Sequence, residues 1–319
     1  VGYFGKIPSR GDFVKAADNI PLITVLDEWL AETMSLLVTD PRWKIDYDSL
    51  PPLHFAFIGP RKKRAIAGHI VSSADSSQRR FPFMSMGVFD MEQSGNFVGN
   101  SPLILCQLWQ QLAIISEEIV RSSEPTDILN KLSNTLIAIE VHSEEQTESF
   151  DCFLEKQTVG SLQALLGDAQ LQGSIRQLIL ALGLLLQPVM SSGSDRLEKS
   201  LVLPLPSDQK NRYLVGAFWM HLISPFLERA DFELALFFTE IQKQPSLILG
   251  FSGASANTLE AIFASQNREK QHIRFLENDW VEEQIHSDYG LKKLSSYLAQ
   301  DKLSLKSVFD SFSITFTGV

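Results

Sequence analysis

The run from Leu53 to Val71 constrains the fold more than any other stretch of the chain. Leu53, Phe55 and Phe57 alternate with other residues, the period-two pattern of a half-buried strand. Pro60-Arg61-Lys62-Lys63-Arg64 then forms a polar tip, and Ala65–Val71 reads as the returning strand. A gap that short joins antiparallel neighbours, because parallel pairs need a crossover of about a dozen residues or more. The spacing recurs at 242–246, between the strand-like runs Phe232–Ile241 and Leu247–Phe251. The expected fold class is therefore α+β, with antiparallel sheets backed by helices, in place of a doubly wound parallel sheet.

Other segments fill in this outline. Val1–Ile7 reads as a strand that stops at Pro8-Ser9-Arg10-Gly11, and Phe81–Phe89 as a third strand of the first half. Leu22, Leu26, Trp29, Leu30, Thr33 and Leu37 recur at spacings of three and four. With Asn19 as a cap and Pro21 in the first turn, they predict a helix that ends before Asp40-Pro41. A long helix is expected over Pro102–Arg121, striped by Leu105, Leu108, Trp109, Leu112 and Ile115.

From 123 to 195 helix formers dominate. Glu124-Pro125-Thr126-Asp127 reads as a helix start, with a stripe through Leu132, Leu136 and Ile139. Leu162–Leu166 and Ile175–Leu186 read as further helices, and Ser191-Ser192-Gly193-Ser194 as a linker. Leu201–Pro206 carries two prolines, which remove ladder donors and predict an edge strand. Arg212–Glu228 and Asn257–Ala264 read as helices. The division this suggests is an N-terminal α/β domain over 1–122, a helical connecting region over 123–195 and a C-terminal α/β domain over 196–319. The second half repeats the order strand, helix, strand, strand, helix without any residue-level repeat.

Composition removes several kinds of function. At 44% hydrophobic and 21% charged residues the chain is globular in type. Its 38 acidic and 28 basic side chains leave a net charge of −10, which argues against nucleic acid as a partner, since that affinity comes mostly from Lys and Arg neutralising phosphates. Two cysteines make no disulfide framework and suit a reducing compartment. The first residues lack a basic and apolar leader pattern. The longest apolar run, Leu178 to Met190, is interrupted by Gln187-Pro188 and falls short of the ~20 residues of a membrane span. A soluble, cytoplasmic protein with no membrane insertion is expected.

The search for chemistry gives little. The histidines at 54, 69, 142, 221, 272 and 286 show no metal-binding spacing. His69 and His221 lie in apolar runs and read as buried. Gly250-Phe251-Ser252-Gly253-Ala254 has the setting of a nucleophile elbow, but Ala254 stands where glycine is required. Asp279 and His286 follow in hydrolase order only seven residues apart, so a glycine turn is the simpler reading. No Gly-Lys-Ser/Thr follows these glycines, which leaves a nucleotide site unsupported. No catalytic group, metal, cofactor or small-molecule substrate is expected. The basic run Arg61–Arg64 reads as a solvated tip that discourages edge pairing, or as a docking patch for an acidic or phosphorylated partner, widened by Arg79 and Arg80.

The segment Gly2-Tyr3-Phe4-Gly5-Lys6-Ile7-Pro8-Ser9-Arg10-Gly11-Asp12-Phe13-Val14 is more informative. Arg10 and Asp12 are placed to pair around Gly11, with Phe13 beneath. This segment closely resembles the opening of the TagF (ImpM) family of type VI secretion-associated proteins. Asp27-Glu28-Trp29-Leu30 continues the likeness, as do Ser73-Ala74-Asp75 and Arg79-Arg80-Phe81-Pro82. Gln78 replaces the usual glycine, Arg80 sits where an aromatic is common, and Leu53-His54-Phe55 replaces Trp-Arg-Phe. The resemblance covers residues 1 to about 120. Leu203–Pro206, Phe218-Trp219, Gly250–Gly253 and Asp279–Val281 look like the extended members of the family.

The resemblance implies a longin- or profilin-like N-terminal sandwich followed by a second α/β region. It also implies regulation without catalysis, as a post-translational repressor of type VI secretion that binds a forkhead-associated protein of that system. The residues it points to for partner binding are Lys6, Arg10, Asp12, Asp75 and Arg79. A structural component of the secretion apparatus is the alternative, and a serine hydrolase using Ser252 a more distant one.

Overall fold

The computed structural model describes residues 1–16, 20–91, 94–135, 139, 144–167, 173–192, 197–227, 232–264, 267–275 and 278–318, with only the backbone at 94–96 and 190–192. In chain order the first half holds β1 (Gly2–Gly5), β2 (Val14–Ala16), α1 (Ile20–Leu37), α2 (Trp43–Asp48), β3 (Leu53–Ile58), β4 (Arg64–Val71), β5 (Phe83–Asp90) and α3 (Ser94–Arg121). Four helices follow: α4 (Thr126–Ser133), α5 (Glu144–Lys156), α6 (Val159–Leu166) and α7 (Ile175–Ser192). The remainder is β6 (Ser200–Pro204), α8 (Gln209–Leu227), β7 (Leu234–Ile241), β8 (Gln244–Gly250), α9 (Ala256–Phe263), α10 (Arg268–Gln271), β9 (His272–Arg274), α11 (Trp280–Ser287), α12 (Tyr289–Leu298) and α13 (Leu305–Phe316).

The strands form one mixed sheet in the order β2-β1-β5-β4-β3-β7-β8-β6-β9. Every pairing is antiparallel except β6 with β9. The expected α+β architecture, antiparallel strands backed by helices, is therefore the one observed. The join between the two halves is β3 with β7, in register from His54 opposite Phe238 to Ile58 opposite Leu234.

Helices back both faces of the sheet and both faces of β3 enter a core, which corrects the half-buried reading of β3. Leu53 and Phe55 enter one core with α1 and α9, while Ala56 and Ile58 enter the other with α3 and α8. The alternation was real, but its second face is closed by small and aliphatic residues instead of water. α1 contributes Leu26, Trp29, Leu30, Met34 and Leu37, each stabilising by about 1.5–3 kcal/mol on burial. Trp29 meets Phe57 edge-on at 5.0 Å and lies over Phe237 at 6.3 Å.

Several boundaries differ from expectation for identifiable reasons. α3 begins at Ser94, so Pro102 is inside it instead of opening it. The proline sits where α3 meets α8, its Cβ 3.4 Å from where a Cβ on Gly216 would lie. By length and composition Phe97–Arg121 also qualifies as a membrane span, one helix among the described residues to do so. One face of it is packed inside the protein, where Leu105, Leu108, Trp109 and Leu112 are all buried, while Ile114 on the other is exposed. α4 stops at Ser133 and Ile139 is not helical, while Leu136 is outside the described residues. α5 was not anticipated. α7 runs through Ser192 into the expected linker, whose Gly193 and Ser194 are outside the described residues.

β6 is not an edge strand. The short strand β9 pairs with it from Ser200 opposite His272 to Val202 opposite Arg274, and the proline at 204 falls at its last paired position, opposite Ser246. The repeated element order is present but is not a simple duplication. A two-fold axis relating antiparallel β3 and β7 would place α1 and α8 on one face, whereas they pack in opposite cores.

Candidate functional site

β1 ends in a backbone that only glycine adopts without strain. Gly5 has φ +139, and a Cβ there would meet the Pro82 carbonyl oxygen at 2.1 Å. The chain then presses Lys6 against the loop before β5 and buries Ile7 completely. A turn closes when Arg10 N–H donates to the Ile7 carbonyl at 3.1 Å, and Ser76 N–H donates to the Arg10 carbonyl at 2.8 Å. The opening segment and the loop 73–81 are thus one structure.

Asp75 is at its centre, with no exposed side-chain surface. Its Oδ1 accepts from the backbone N–H groups of Ser77 and Arg79, each at 2.9 Å. Its Oδ2 takes Lys6 Nζ at 3.0 Å and Arg79 Nε at 2.7 Å. Burial alone would raise the carboxyl, but these four donors outweigh it and hold Asp75 well below the usual carboxylate range. Arg79 reaches on to the Gly11 carbonyl with Nη2 at 2.6 Å, while most of its side chain stays exposed. Lys6 Nζ also lies 5.0 Å from the centre of the Phe13 ring. Phe13 stacks on Phe4 at 5.3 Å and meets Phe81 edge-on at 4.9 Å.

The five residues singled out in the sequence therefore divide into two groups. Lys6 and Asp75 are buried and support the arrangement from within. Arg79 and Asp12 are exposed, and Arg10 is half-buried. Arg10 does not pair with Asp12 among the described contacts. Its Nη2 donates instead to Thr126 Oγ1 at 2.8 Å, tying the turn to the start of α4. Asp12 Oδ1 accepts from the N–H of Phe13 at 2.8 Å. In place of the expected ion pair around Gly11, the Arg79 guanidinium donates to the Gly11 carbonyl.

Two departures from the family pattern have structural explanations. Gln78 has φ +61, the left-handed region in which glycine carries no steric cost. Arg80 grips Asp48 with Nε and Nη2 at 2.7 and 2.6 Å and lies over the Trp43 ring at 5.9 Å. Its pairing with Asp48 holds that carboxyl below its ordinary value. Beside it Tyr47 accepts from Ser73 N–H and donates to the Ser73 carbonyl, both at 3.0 Å. Trp43, Tyr47 and Asp48 were missed in the sequence because α2 is too short to show a helical period.

Elsewhere the chemistry is sparse. Ser252 is exposed after β8 and bridges to Glu233. Asp279 accepts from Gln177 Nε2 at 3.4 Å, and no described hydrogen bond joins Ser252, Asp279 and His286. His54 and His69 face each other across β3 and β4 with Nδ1 atoms 3.0 Å apart. Burial pushes both down, His69 to about 4, and the neighbouring His69 and Arg212 lower His54 further. No cluster of three or more potential metal ligands occurs among the described residues. His142 is outside them.

Residues 2–136 match the family described as TagF N-terminal domain, Type VI secretion system-associated. No curated protein matches the chain. Among solved structures the chain is similar to PA0076 from Pseudomonas aeruginosa PAO1, at 21% sequence identity over 46% of this chain and 74% of that one, with a TM-score of 0.34. A likeness that weak carries no structural argument.

Proposed function

We propose that this protein is a cytoplasmic, non-enzymatic regulator associated with the type VI secretion system, a reading supported by the match of residues 2–136 to the TagF N-terminal domain. It represses the secretion system after translation by binding a forkhead-associated scaffold component. The family match is the observation that carries this reading. The geometry supports it in one respect: the loop pair presents Arg79, Arg10 and Asp12 on a base fixed by the buried carboxylate of Asp75. A polar face whose side chains are already held loses less conformational freedom on binding than a mobile one.

Two experiments test it. Tagged wild-type protein is expected to co-purify with the forkhead-associated component, and correctly folded Arg10→Ala and Arg79→Ala variants to retain much less of it. Unchanged retention removes the surface from the proposal. Deleting the gene separates a brake from a part of the machine: secretion rises if the protein represses and disappears if the protein is a component.

A further inference from the structure

The basic tip Arg61–Arg64 takes no part in the Asp75 cluster. It lies at the opposite end of β4, about 25 Å away at ~3.3 Å per strand residue. Behind the tip is a cleft of about 600 Å3 between the first turns of α1 and the sheet. Strand register builds its floor. Phe57 is opposite Ile66 and Ile66 is opposite Val88, so three apolar side chains stand in one row across β3, β4 and β5. Leu22 and Val25 of α1 form the wall. Farther along, α1 closes onto the sheet through Trp29, but here Val25 keeps 55% and Val88 46% of its surface exposed. An open apolar trough with a polar rim is the kind of surface that proteins use for contact with one another.

The rim decides what fits. Lys62, Lys63 and Arg64 stand there beside Glu233, with Asp90 paired to Arg64. Lys62 Nζ lies 3.3 Å from Glu233 and Arg64 Nε 3.0 Å from Asp90. Arg64–Asp90 is largely in water and Lys62–Glu233 partly so, and bridges exposed in this way contribute little, so their cations can turn to other carboxylates. In a chain of net charge −10 this is a local inversion of sign, and it favours an acidic occupant. We propose that the cleft docks a short, acidic amphipathic segment of a partner protein, with apolar side chains on the Phe57–Ile66–Val88 row and carboxylates at the tip. An acyl chain fits less well, because small-molecule pockets enclose most of the ligand's surface and this trough is open along its Val25–Val88 side. The site uses neither Arg10 nor Arg79, so it stands or falls apart from the repressor reading.

The test uses the full chain and a fluorescein-labelled synthetic helix of about 14 residues, with Leu at i, i+3, i+4 and i+7 and Glu on the other face. Its companion carries Lys in place of Glu. In anisotropy titrations the Glu peptide is expected to bind at least about tenfold more tightly than the Lys peptide. Val25→Asp is expected to weaken the Glu peptide by a similar factor, with circular dichroism and Tm unchanged. Lys63→Glu with Arg64→Glu is expected to reverse the preference, and Arg79→Ala to leave it intact. Absence of saturable Glu-peptide binding, equal affinity for both peptides, or full binding by Val25→Asp overturns the proposal. So does displacement of the peptide by sodium laurate at submicellar concentration, which assigns the cleft to an acyl ligand. A wild-type dimer in sedimentation that Val25→Asp dissociates assigns it to a second copy and equally overturns the proposal.

Discussion

Lys6 Nζ lies 3.0 Å from Asp75 Oδ2, with 9% of the lysine side chain and none of the aspartate exposed. A buried pair of this kind is costly to break from one side, because the remaining charge is left without a partner. Asp75→Ala is therefore expected to lower the denaturant midpoint clearly. Lys6→Met combined with Asp75→Leu is expected to recover part of that loss, since no charge is then stranded between them. Equal losses in the single and double variants, measured by urea unfolding, count against the coupling. The Asp75 carboxyl is depressed in the folded state, so its stabilisation is present above the unfolded pKa near 3.9 and is lost as the pH falls below it.

Gly5 has the least replaceable backbone in the site. A methyl group there would overlap the Pro82 carbonyl at 2.1 Å and the Phe83 Cα at 2.7 Å, at φ +139. Gly5→Ala is expected to cost about 3 kcal/mol or more, from overpacking and strain together. Urea denaturation measures it, and a loss under about 1 kcal/mol would mean that β1 shifts freely against β5.

Among the described residues, three other than glycine have positive φ: Gln78 at +61, Gln242 at +53 and Lys243 at +65. Gln242 and Lys243 form the two-residue turn between β7 and β8, for which Asn-Gly is the favoured pair. Gln78→Gly and Lys243→Gly are each expected to stabilise by about 0.5–1 kcal/mol, less the entropy that glycine adds to the unfolded chain. Gln78→Val is expected to do the opposite. Thermal midpoints of the three variants check the signs.

His54, His69, His221 and His272 are all held below their ordinary value by burial, the last three to about 4. The folded state therefore binds fewer protons than the unfolded chain between pH 6.5 and 4. Stability is complete above that window and falls as the pH drops through it, by up to about 1.4 kcal/mol per pH unit for each histidine. Arg212 beside His54, and Arg268 and Arg274 beside His272, act in the same direction, while Asp151 opposes the shift at His221. Urea midpoints measured across this range are expected to slope upward with pH. His221→Phe is expected to flatten the slope by about a quarter.

Legibility in the sequence followed length and period. α1 was readable because eighteen residues carry one apolar stripe, and the β3–β4 hairpin because its tip is unambiguous. β9, three residues long, and α2, six, are too short to show any period. The start of α3 is misplaced because Pro102 looks like a first-turn residue, whereas the helix runs through it from Ser94. In the candidate site, the residue set came from resemblance alone. Nothing local distinguishes buried Asp75 from exposed Asp12, since that difference arises only when the Gly5 backbone closes against Pro82.

The pairing of β3 with β7 has a practical consequence for anyone trimming this protein. A fragment ending at residue 136 would strip five registered positions from β3, His54 to Ile58. It would leave a central strand as a raw edge of unpaired N–H and C=O groups, and such edges recruit other chains. Phe237, which lies beneath Trp29, would be lost with it. The expected product is an aggregating piece, and the boundary of the recognisable module is not a place where this molecule can be cut.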